Sequence, residues 1–300
     1  MLRVIKPLAI TDAELISSTV DETEAGMYAA WSPVTNYSIG NRVLYQHQVF
    51  EALQSGNTNH TPGAVGSTWW LYLGHTNRWA MFDGAVNTST TATLLGEVVL
   101  QFSEFVSAIG VVAFVGSSVT VTVRSAGDVV YTQTLSVGGS SSSGWYEYFF
   151  DDSESSGDLL FDGLPPYLGA QITVTMVGSS TVSCGVLVAG KLYEIGGVHY
   201  GAEAGIAAYS RQTTDDFGIT TLLRRPSARK VTMQVDVPRE AFRRVNEIMT
   251  ALESTPCFWV GDEDTDELGP LVVFGWYRDF RQVVTYPRLT TMALELQGFI

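Results

Sequence analysis

The chain has 300 residues, a formal net charge of −14, and 16% charged against 45% hydrophobic residues. At roughly 100–200 residues per domain two or three domains are expected, and the acidic balance argues against a nucleic-acid binder or a polybasic membrane-surface protein. The apolar share excludes global disorder, and 29 glycines among plentiful Ser and Thr predict a turn-rich, mainly β protein.

Residues 1–26 carry two basic and five acidic residues around Leu8, Ile10, Leu15 and Ile16. The piece is too short to fold alone and reads as an extended arm that docks on a neighbour, or as a frayed terminus. It lacks the apolar core and cleavage site of a signal peptide, so synthesis and folding in a cytoplasm are expected. No apolar run reaches about 18 residues, so no membrane insertion is expected.

Residues 27–76 form a small aromatic β-module. Val43 and Tyr45 alternate as one strand, Val49 to Leu53 follow as a second, and Trp69-Trp70-Leu71-Tyr72-Leu73-Gly74 closes the piece. Residues 77–193 repeat strand patterns at Val98–Phe102, Val119–Val123 and Ile172–Val177, split by Gly and Ser. They predict a β-sandwich of jelly-roll or galactose-binding-like type. A Gly/Ser loop runs from Gly138 to Gly144, and Asp151, Asp152, Glu154, Asp158 and Asp162 form an acidic cluster.

Residues 194–300 hold 11 of the 17 Lys and Arg. Pro238 opens one main helix, with Ala241, Val245, Ile248, Met249 and Leu252 at helical spacing through Glu253. Strands at 230–237, 257–261, 271–276 and 291–298 flank it, predicting an α+β domain that makes the assembly contact.

The chemistry-bearing residues do not form a known catalytic pattern. His47, His60 and His75 are spaced by 13 and 15, which matches no metal motif, and HExxH, GxSxG and phosphate-cradle sequences are missing. Carboxylates at 262, 264 and 266 resemble the start of a calcium loop, but Glu267 stands where Gly is required and Val273 where Glu is required. A solvated hairpin tip is the simpler reading. Cys184 and Cys257 read as two buried thiols. No cofactor, no metal site and no enzymatic activity are expected.

The aromatic module is more informative. Flat rings stack on the C–H faces of sugars while amides bind the hydroxyls. Trp31, Tyr37, Trp69, Trp70 and Tyr72 supply rings and Asn57 an amide. Adjacent residues of a strand point to opposite faces, so Trp69 and Trp70 cannot both be interior. The alternative is that all these rings pack a tiny core.

The pattern Trp31…Tyr37-x-x-Gly40-x-x-Val43-x-Tyr45…Val49-Phe50-x-Ala52…Pro62…Trp69 resembles the chitin-binding modules of bacterial chitinases. Asn41 stands where that family commonly has Asp, and Phe50 where it has Tyr. There the sugar is held by exposed aromatics near the closing Trp, which by resemblance implies Trp69, Trp70 and Tyr72. Such modules are also frequent in tailed-phage virion proteins. The segment from Thr76 to Gly84 and the ending from Gly275 to Gly298 are similar to parts of phage structural proteins of the tail and baseplate type.

The resemblance implies a non-enzymatic phage virion component, made in the host cytoplasm and located in the tail region, at the tail tip, baseplate or fibre attachment point. It implies other tail proteins as partners, a homo-oligomer, and weak contact with a host-surface glycan during adsorption. Two alternatives stay open. One is a collar, decoration or fibre-adaptor protein whose β-modules are spacers. The other is a polysaccharide-acting enzyme, which requires paired carboxylates about 5–10 Å apart.

Overall fold

The computed structural model describes residues 1–22, 28–137, 157–214, 217–218, 220–225, 227–261, 271–284 and 286–299. The fold is mainly β. In chain order the first strands are β1 (Leu2–Pro7), β2 (Leu15–Ser18), β3 (Ala29–Ala30), β4 (Arg42–Tyr45), β5 (Gln48–Ala52) and β6 (Trp70–His75). After the one-turn helix α1 (Asn77–Ala80) come β7 (Thr90–Gln101), β8 (Ala108–Val112), β9 (Ser118–Ser125) and β10 (Asp128–Ser136). Next are β11 (Leu159–Phe161), β12 (Gln171–Cys184), β13 (Val186–Val198), β14 (Glu203–Ala208), β15 (Arg211–Thr214), β16 (Thr220–Leu223) and β17 (Ser227–Pro238). Helix α2 (Phe242–Ala251), β18 (Cys257–Val260), β19 (Val272–Val283) and β20 (Leu289–Gly298) complete the set.

A nine-stranded sheet runs β11-β8-β13-β1-β18-β19-β20-β17-β14. Strand β13 also pairs with β17 through Gly197↔Asp236 and Val198↔Val235. That second pairing closes β13, β1, β18, β19, β20 and β17 into a barrel and removes the open edges on those strands. Period-two alternation sends Val231, Met233, Val235 and Val237 of β17 inward to meet Met292, Leu294 and Leu296 of β20. Helix α2 lays Val245 and Met249 on the same core, and Leu252 follows at its C-cap. Burying each such side chain contributes about 1.5–3 kcal/mol. The Tyr277 hydroxyl donates to the Met249 carbonyl at 2.9 Å and pins the helix end to β19.

Strand β18 reads Cys-Phe-Trp-Val and is buried throughout, because both its faces are covered. Cys257 and Trp259 enter the barrel core, while Phe258 and Val260 join Ile5, Ala108, Val188 and Phe274 on the other side.

A five-stranded sheet, β10-β9-β12-β7-β2, packs across β8, β11 and the start of β13. Val98 and Leu100, Val119, Val121 and Val123, and Ile172, Val174 and Met176 face Ile109, Val111, Phe161 and Leu187. This is a β-sandwich whose second layer belongs to the same sheet as the barrel.

Two expectations are corrected here, and a third is refined. The start of the expected docking arm belongs to the fold itself: Leu2 to Pro7 form an interior strand between β13 and β18, with Leu2, Val4 and Ile5 fully buried. The divide between 193 and 194 falls inside β13, which serves sandwich and barrel with one continuous strand. The C-terminal piece is a closed barrel with a helix against it, completed by β1 from the opposite end of the chain. The helix itself lies where its periodicity put it, after a 3₁₀ turn at Arg239–Ala241.

Asp158 and Asp162 of the acidic cluster are structural. Asp158 receives Arg229 Nη1 at 2.5 Å, and Asp162 receives Arg3 Nη1 at 2.5 Å, each tying the sandwich to the barrel. Asp151, Asp152, Glu154, the Gly138–Gly144 loop and the carboxylates of 262–267 lie outside the described residues. No described helix is long and apolar enough to cross a membrane.

Candidate functional site

The aromatic module is a separate four-stranded sheet, β3-β4-β5-β6, with β3 parallel to β4 and the other pairs antiparallel. Its core is small: Tyr37, Val43, Phe50, Ala52 and Trp70, with Trp31, Tyr45 and Trp69 against them. Edge-on aromatic pairs suit so few residues, because each ring fills a large volume and its positive edge meets a negative face.

Trp70 is 6% exposed, and its indole Nε1 donates to the His60 carbonyl at 2.7 Å. Its ring meets Tyr37 edge-on at 5.3 Å. Tyr37 is buried too, and its hydroxyl accepts the Ser32 backbone N–H at 2.7 Å. Asn57 is 0% exposed. Its Nδ2 donates to the Trp69 carbonyl at 3.4 Å, its Oδ1 lies 3.1 Å from His60 Nδ1, and its backbone bridges to Tyr37. Trp31 is half-buried, edge-on to Tyr45 at 5.4 Å, with its buried Nε1 lacking a hydrogen-bond partner.

The six candidate residues therefore divide. Tyr37, Asn57 and Trp70 lie in the module's interior and present almost no surface to a ligand. Trp31 and Trp69 are half-buried, and Trp69 stacks flat on His60 at 3.9 Å and 12°. Tyr72 alone among the six presents much of its ring, at 47% exposure. One ring side leans on Phe50 at 5.8 Å, and its hydroxyl lies 3.0 Å from His75 Nδ1. Burial, with Asp83 nearby, raises the Tyr72 phenol above its ordinary value, so the hydroxyl stays protonated and able to donate.

Tyr72 lies on β6, the last strand of the small sheet, between Leu71 at 46% and Leu73 at 43% exposure. Sequence reasoning missed these two leucines. Leu71 alternates onto the opposite face from Tyr72, Leu73 sits at a register shift of the β5–β6 pair, and a Leu-Tyr-Leu run reads as core until the sheet's free face is known. The arrangement offers one exposed ring whose hydroxyl is held beside His75. That suits weak stacking on a flat, partly apolar ligand.

Among the described residues no three His, Cys, Asp or Glu are gathered so as to hold a metal ion. No protein-family model, no curated protein and no solved structure matches this chain.

Proposed function

We propose that the chain is a non-enzymatic structural component of a tailed-phage particle, at the tail tip, baseplate or fibre attachment point. In this reading it acts with other tail proteins and as a homo-oligomer. The aromatic module makes a weak contact with a host-surface glycan through Tyr72. The observation that carries the glycan contact is the half-exposed Tyr72 ring on the outermost strand of a module whose other rings are used inside. Weak single sites are sufficient where several copies act together, because linked sites raise effective concentration.

The tight internal use of Trp70, Tyr37 and Asn57 favours a second reading, in which the module is a spacer in a collar, decoration or fibre-adaptor protein. Two experiments separate them. Antibody-gold labelling of intact particles places the chain: tail-tip or fibre-base label supports the adsorption reading, and collar or head label supports the spacer. Particles with no label, given accessible epitopes, overturn both. Retention of the full chain on insoluble chitin or peptidoglycan then tests the glycan contact.

A further inference from the structure

The module touches the rest of the chain through an unusual histidine. His47 sits at the tip of the β4–β5 hairpin, where Gln46 and His47 both adopt left-handed backbone, at φ 48° and 60°. Such two-residue turns normally use Asn-Gly, because other side chains are strained there. Here the strained tip delivers the imidazole to the body. Its Nδ1 lies 2.6 Å from Glu22 Oε1, and its Nε2 lies 2.9 Å from Asp12 Oδ1. The ring stacks on Trp79 of α1 at 4.5 Å and 30°. The His47 carbonyl accepts the Thr76 N–H at 2.8 Å, and the Thr76 hydroxyl donates to Glu22 Oε1 at 3.3 Å.

An ionised carboxylate only accepts hydrogen bonds, and a neutral imidazole carries one N–H. Both contacts of His47 therefore require the imidazolium, and loss of its proton turns one of them into a repulsion between lone pairs. A second histidine of the module, His75, faces the body in the same sense: its Nδ1 lies 3.6 Å from Asp83 Oδ2. The other groups present are Arg78, whose Nη1 lies 3.9 Å from Glu22 Oε2, and Tyr72 beside His75. Arg78 leaves Glu22 a cation when His47 is neutral, so releasing His47 does not strand a bare charge.

We propose that the module is held on the body by a proton-operated latch, closed when His47 bridges Glu22 and Asp12 as an imidazolium and released when that ring loses its proton. Burial lowers the His47 value, but the hydrogen bonds and charges of Glu22 and Asp12 outweigh it, and the net direction is upward. The sign follows. A group whose value is raised on docking favours the docked state fully below its ordinary value of 6.5, and that preference is lost as pH rises through the raised value. Each unit of elevation corresponds to about a tenfold change in the docking equilibrium. The module is thus seated in acid and swings free in mild alkali.

The test uses the full chain with dyes on Thr58→Cys in the module and Asp128→Cys in the sandwich, both exposed positions. The native thiols are fully buried and stay unlabelled. Single-molecule energy transfer from about pH 5.5 to about pH 9 spans the histidine range. One narrow distance population is expected at the acid end, with a second, broader one growing in as pH rises, its midpoint above the ordinary histidine value. His47→Gln is expected to abolish that pH dependence while the unfolding transition of the barrel and sandwich persists. A single narrow population across the range, or a transition that survives His47→Gln unchanged, overturns the latch. Should His47→Gln fail to fold, Glu22→Gln keeps ring and turn in place and is expected to lower the midpoint; an unmoved midpoint then overturns it.

Discussion

Trp70 donates its indole N–H to the carbonyl of His60 at 2.7 Å, so the second of two adjacent tryptophans is bonded across the interior of its module. The first, Trp69, lies flat against the side chain of the same histidine. One residue of the 57–62 loop thus holds both rings, one through its backbone and one through its imidazole. Trp70→Ala is expected to cost about 3–5 kcal/mol of module stability by cavity formation. Trp70→Phe keeps a ring but strands the His60 carbonyl, and should cost about 1–3 kcal/mol. Thermal unfolding followed by near-ultraviolet circular dichroism reads both. An unchanged transition in Trp70→Ala would place that ring outside the core.

Tyr72 carries the glycan contact in the proposed function. Tyr72→Ala should weaken retention on chitin or peptidoglycan by about 1–3 kcal/mol, the size of comparable ring stacking. Tyr72→Phe should retain most of it, since the face survives and only the hydroxyl is lost. The measurement is a binding isotherm on the insoluble polymer, with folding checked in parallel. Equal retention by native chain and Tyr72→Ala would leave the spacer reading in possession.

Strand β1 sits inside the barrel wall with Val4 fully buried between β13 and β18. Val4→Asp places a carboxylate in an apolar core. A loss of more than about 3 kcal/mol is expected, read as a fall in the denaturant midpoint of the barrel. A terminal arm lying free on a neighbour would tolerate the change.

Gly190 and Gly197 lie on the same strand and make a matched pair. A Cβ at Gly190 collides with the Lys6 carbonyl of β1, whereas a Cβ at Gly197 meets nothing within 4 Å. Gly190→Ala should therefore destabilise by about 2–4 kcal/mol, and Gly197→Ala should fall within about 0.5 kcal/mol of the native chain. Chemical denaturation of the two variants side by side checks the β1–β13 register directly.

Cys184 and Cys257 are both fully buried, and burial pushes each thiol up to about 12. Near pH 8 neither should react with an aromatic disulfide reagent in the native chain, and both should react once guanidinium unfolds it. The sign of the linkage follows from the same burial. Unfolded thiols ionise near 9.0 and folded ones near 12, so rising pH above about 9 draws the chain toward the unfolded state.

Much of this molecule was legible from local pattern. The alternation at Val119–Val123, Ile172–Val177 and Thr291–Gly298 marked β9, β12 and β20, and the spacing of Val245, Met249 and Leu252 marked α2. The high aromatic content of 27–76 marked a module with a ring-filled core. Each of these rests on a period of 2 or 3.6 residues that a side chain shares with near neighbours. Pairing between distant strands leaves no such trace. Nothing in Leu2 to Pro7 announces that it will lie between residues 190–196 and 258–260, or that β13 will close a barrel through Val198 and Val235. Likewise the doublet Trp69-Trp70 announces that one ring turns inward, but the choice depends on a carbonyl ten residues upstream. The meeting of His47 with Asp12, Glu22 and Trp79 depends on three separate segments folding to one place. The sequence by itself determined the kinds of element and the apolar faces they must bury. The tertiary structure alone decided which faces meet, because that energy is gained only after the entropy of closing long loops has been overcome.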